Sequence, residues 1–67
     1  MIPEVPDGWE VNRMPAYRAL KQYVCPSCGN AIAARVGHVV AWPQDRPDER
    51  RHWHDHCWRI AVRSGRL

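Results

Sequence analysis

Apolar positions in this chain fall in short, interrupted runs, and their spacing predicts small elements. The strongest is His38-Val39-Val40-Ala41-Trp42, rich in the β-branched and aromatic residues that suit a pleated surface and ended by Pro43. Asn30 to Ala34 is a shorter run, and Arg35-Val36-Gly37 between the two predicts a hairpin. Pro43 to Arg50 is polar and carries Asp45, Pro47, Asp48 and Glu49, so it reads as an exposed loop. Arg51 to His54 returns as a short strand, with Trp53 facing opposite to His52 and His54. From about His54 to Arg63 the chain holds no breaker until Ser64-Gly65. At about 100° per residue, Cys57, Ile60 and Ala61 share one face of that helix, with Trp58 and Val62 beside them. His56, Arg59 and Arg63 fall on the other side.

The first fourteen residues lack sustained periodicity. Pro3, Pro6 and an Asp7-Gly8 turn predict an irregular arm, with Trp9 and Val11 available to dock on the rest. Pro15 to Leu20 suits a short helical turn with Pro15 at its first position, and Lys21 to Val24 is extended. The chain thus divides into an N-terminal arm, 1–20, and a compact module, 21–67. No apolar run approaches the ~20 residues of a membrane span, and Met1 leads into Ile-Pro-Glu-Val-Pro, not a charged and apolar targeting segment. No membrane association and a cytoplasmic location are expected.

A domain of 67 residues gains only about 3–5 kcal/mol from its apolar core, so something else must hold it. All three cysteines sit in two half-sites: Cys25-Pro26-Ser27-Cys28-Gly29, and His54-Asp55-His56-Cys57 beginning 25 residues after Gly29. A Cys-x-x-Cys turn supplies two thiolates from one loop, because its amides can point inward at the sulfurs. His54 and Cys57, three apart, share one face of a first helical turn. Three cysteines would leave one over in a disulfide framework, and a Cys25–Cys28 redox pair lacks the βαβ surroundings such motifs use. One structural zinc on Cys25, Cys28, His54 and Cys57 is the expectation. Among the other histidines, His56 would point away around the helix, His52 has the wrong spacing, and His38 is remote in sequence.

Charge adds a candidate partner. The formal balance is +3, and arginine supplies nine of the ten basic residues. Asp45, Asp48 and Glu49 gather in the loop, while Arg59, Arg63 and Arg66 have only Asp55 nearby. Guanidinium forks suit phosphate oxygens, so Arg50, Arg51, Arg59, Arg63 and Arg66 are the candidate nucleic-acid contacts, against the plainer reading of a solvated face. Trp42 and Trp53 read first as core and second as base-stacking groups. The four glycines, at 8, 29, 37 and 65, never precede a lysine, so no phosphate-cradling loop and no nucleotide site is expected.

The order of knuckle, hairpin, loop and ligand-bearing helix resembles a treble-clef zinc finger, which makes the expected fold class a small α+β zinc-stabilised domain. Trp53-His54-Asp55-His56-Cys57-Trp58 resembles the ends of LIM first modules and of the nick-sensing fingers of poly(ADP-ribose) polymerases, which share the Cys-x-x-Cys…His-x-x-Cys order. Over roughly residues 21–60 the chain also resembles a family of small uncharacterised actinobacterial proteins. It shares their Cys-Pro-x-Cys knuckle, His-Val-Val-Ala-Trp-Pro strand and Arg-Arg-His-Trp-His-x-x-Cys-Trp end. A further likeness, to HNH nucleases, would make His38 a general base, but Asp45, Asp48 and Glu49 lie in the loop and not beside it. The expectation is a non-enzymatic module binding DNA or RNA through arginines, the alternative being a LIM-like protein-interaction adapter.

Overall fold

The computed structural model describes residues 3–67. It is a small α+β domain in which five antiparallel strands precede one C-terminal helix: β1 (Trp9–Met14), β2 (Tyr23–Val24), β3 (Ala31–Ile32), β4 (His38–Pro43), β5 (Arg51–Trp53) and α1 (Asp55–Ser64). Short 3-10 turns occupy Ala16–Arg18 and Pro47–Glu49. The principal sheet has the order β1-β4-β5, and β2 pairs separately with β3.

Two expectations about the strands need correction. Trp9–Met14, read as part of an irregular arm, is the edge strand β1, paired along its whole length with β4 from Trp9↔Pro43 to Met14↔His38. The Asp7-Gly8 turn delivers it there: Gly8 has φ +83°, and its carbonyl accepts from Gln44 at 2.9 Å. The expected hairpin between 30–34 and 38–42 does not form. Ala31–Ile32 turns back on Tyr23–Val24, closing a loop around the cysteine knuckle, and β4 takes β1 and β5 as neighbours instead. The segment between them is drawn elsewhere, since Arg35 donates from its backbone to Ala19 and from its guanidinium to Tyr17.

The inner face of the sheet packs under α1. Val39, Ala41 and Trp53 meet Trp58 and Ala61, with Cys25 and Ile32 from the knuckle completing the core. Trp58, only 1 % exposed, packs edge-on against Trp9 and Trp53 and donates its indole N–H to the Glu4 carbonyl at 2.8 Å. Ile60, expected on the inner face, is exposed. Arg13 clamps β1 to the start of the helix through Asp55 at 2.6 Å. Among the described residues, no helix is long and apolar enough to cross a membrane.

Candidate metal centre

The knuckle is a tight turn that presents its donors by backbone geometry. The Gly29 amide donates to the Cys25 carbonyl at 2.8 Å and the Cys25 amide to the Asn30 carbonyl at 3.0 Å, with Gly29 at φ +74° where the chain doubles back. The second half-site comes from the β5–α1 junction. His54 is the helix N-cap in extended conformation, and Cys57 sits in the first turn. Ring and thiol are therefore brought together at a rigid corner.

The donor atoms of Cys25, Cys28, His54 and Cys57 all lie within 4.8 Å of one another. His54 uses Nδ1, 3.4 Å from Cys28 Sγ and 3.8 Å from Cys57 Sγ. A tetrahedral ion with bonds of about 2.3 Å to sulfur and about 2.0–2.1 Å to nitrogen would separate the two donor types by about 3.6 Å. Three sulfurs and one imidazole at these separations fit one metal ion such as zinc. His38, His52 and His56 stay outside the cluster.

Electrostatics agree with a cation-binding role. Burial pushes the Cys25 thiol up, but hydrogen bonds to the backbone of Cys28, His54 and Ser27 and to the His54 ring outweigh it and hold it at about 6. Cys57 moves the opposite way, to about 11, through burial and through the sulfurs of Cys25 and Cys28 beside it. A set of donors that share hydrogen bonds and repel one another as thiolates is stabilised by a divalent charge at its centre.

The arginines disperse. Arg63 reaches Glu4 at 3.4 Å, a contact with the N-terminal segment that its sequence neighbourhood did not suggest. Arg59 is half-buried on the same side of α1. Arg51 and Arg66 line one cavity of about 570 Å³ with Trp9, Ser27 and Trp53. Arg50 lies over the Trp42 ring, 4.5 Å from its centroid. The phosphate candidates thus form no single face.

A second polar cluster went unread beyond its members. His38, fully buried, bonds the Val36 carbonyl through Nδ1 at 2.9 Å and His52 through Nε2 at 2.8 Å. Tyr23 stacks on His52 at 3.5 Å and 8°. Burial, then His38 and Arg50, lower the His52 pKa from its ordinary value. The period-2 alternation of β4 and β5 was the available signal, since it puts His38 and His52 on one face. A buried His38 cannot meet a substrate as the base of an HNH-like site.

A model of the Rv1322 family matches residues 3–59. The chain belongs to that family. It is 49 % identical over 66 residues to uncharacterized proteins of Mycobacterium tuberculosis (Rv1322) and Mycobacterium bovis (Mb1356), covering 90 % of this chain and 67 % of each relative. No solved structure matches the chain. The segment matched to the Rv1322 family contains all four sulfur and nitrogen donors and every strand, and ends before Arg63 and Arg66.

Proposed function

We propose that this member of the Rv1322 family is a treble-clef module that holds one structural zinc and binds nucleic acid. Convergence of Cys25, Cys28, His54 and Cys57 carries the zinc assignment. The chain order supports the treble clef: a knuckle closed by β2 and β3, a β4–β5 hairpin, then a helix whose start bears the last two donors. Four protein donors leave no open coordination position, which favours a structural over a catalytic ion and a non-enzymatic role.

Nucleic-acid binding rests on arginines that the fold does not consume. Among the described residues no carboxylate pairs with Arg50, Arg51 or Arg66, whereas Arg63 is tied to Glu4 and Arg46 to Glu49. The phosphate contacts therefore shift from the back of the helix toward Arg50, Arg51 and Arg66. Fluorescence anisotropy of the zinc-loaded protein against duplex, nicked and single-stranded DNA and RNA, at several salt concentrations, tests this. Micromolar or tighter binding whose logarithm falls linearly with log salt is the expected result. Absence of binding even at low salt would remove nucleic acid as the partner.

One observation favours the adapter reading in that event. Tyr17, Leu20, Val24 and Val36 are exposed, and Arg35 ties the segment of Val36 to that of Tyr17 and Ala19, which offers apolar side chains to a protein partner. Trp58 is buried and takes no part in that surface.

A further inference from the structure

The principal sheet has two faces, and α1 covers one. Side chains alternate along β4, so Val39 and Ala41 enter the core while His38, Val40 and Trp42 stand on the opposite side. On β5, His52 is paired with Val40 and shares that outer face, and Arg50 joins it by lying over Trp42. Asn12 and Glu10 of β1, opposite Val40 and Trp42, complete it. Tyr23 closes one end through its contacts with His52 and His38. The other end is open: Trp42 is half-buried and Arg50, Glu10 and Asn12 are exposed.

Hydrogen bonding determines which nitrogen of the half-buried His52 keeps a lone pair. The Val36 carbonyl can only accept, so His38 carries its proton on Nδ1 and, when neutral, offers a lone pair at Nε2. His52 donates to that lone pair from Nδ1. The lone pair of a neutral His52 is then on Nε2, on the side of the ring turned away from His38, and the Tyr23 stack holds the ring in place.

We propose that this outer sheet face is a platform for the bases of single-stranded nucleic acid, with the Arg50 guanidinium on Trp42 receiving a stacked base and His52 Nε2 accepting a base N–H. The inference rests on the nucleic-acid reading above and names its substrate. A planar cation laid on an aromatic ring keeps its outer plane free for a second π-face, and only an unpaired base offers one. In a duplex those faces are occupied by neighbouring bases. Charge orients the strand: Glu10 lies on the β1 side and Arg50 on the β5 side, so the phosphates run along the β5 edge.

The test compares anisotropy of labelled single-stranded and duplex oligonucleotides of one sequence with wild-type protein, Arg50→Lys, His52→Phe and Arg63→Gln, with zinc content and circular dichroism verifying each fold. Arg50→Lys keeps the charge and loses the plane, so it is expected to weaken single-strand binding about fivefold or more while leaving the salt slope unchanged. His52→Phe retains a ring for Tyr23 but no acceptor and is expected to weaken it as well. Arg63→Gln should change it less than about twofold, the scatter expected for a surface change away from the contact. Equal affinity for duplex and single strand, or wild-type affinity in Arg50→Lys, would overturn the platform while leaving nucleic-acid binding in force. Failure of the wild-type protein to bind any oligonucleotide would overturn both.

Discussion

Cys25 and Cys57 answer the same cluster in opposite senses. Cys25 sits at the bottom of the knuckle, where backbone hydrogen bonds stabilise its thiolate, and Cys57 faces two sulfurs and pays for burial with a pKa raised to about 11. His52 gives a residue-scale prediction. Its folded-state pKa lies below the ordinary 6.5, because burial, His38 and Arg50 disfavour the charged ring. Below that pH the unfolded chain therefore binds the extra proton more readily, so the stability contributed by neutral His52 is complete above about 6.5 and lost as pH falls beneath it. Denaturant midpoints measured on zinc-saturated protein between pH 7.5 and 5.5 should drop less for His52→Gln than for wild type. An equal drop would place the acid sensitivity elsewhere. At this scale the convergence of Cys25, Cys28, His54 and Cys57 was legible in advance, since metal-ligand chemistry constrains residue type and spacing whatever path the chain takes. The choice of His54 Nδ1 was not, because ring orientation depends on the β5–α1 corner.

Elements were legible where they obey their own local signals. The helix runs Asp55–Ser64 against an expected span of about His54 to Arg63, with Asp55 near its positive end and Arg63 near its negative end. Gly65 stops it at φ +68°, its amide meeting the Ala61 and Val62 carbonyls while the Arg66 amide reaches Ala61 at 3.0 Å. Gly65→Ala meets open space but must adopt a left-handed backbone, so it should cost about 1 kcal/mol in a chemical denaturation of the zinc-loaded protein. No loss would mean that the helix end frays in solution. Strand pairing was the illegible part. Glu10, Asn12 and Arg13 give β1 too much polarity for an isolated pattern, and it is a strand because β4 offers six partners and Trp58 a surface for Trp9. Likewise β3 follows its nearest neighbour in space, β2, which only the closure of the knuckle defines.

For the whole molecule, the principal core cluster among the described residues holds seven buried residues, and one of them is Cys25. The candidate metal site and the core therefore share Cys25. Structural zinc in small fingers contributes an apparent ~10–16 kcal/mol at neutral pH, well above the about 3–5 kcal/mol that apolar burial supplies at this size. Loss of the ion should accordingly open the protein as a unit and not merely loosen the knuckle. The most direct test is the amide NMR spectrum of protein of known metal content, recorded before and after removal of the ion by a chelator. The expected result is one zinc per chain, collapse of the dispersed spectrum when it is withdrawn, and recovery on adding one equivalent back. A metal-free chain that keeps its dispersed spectrum would contradict it.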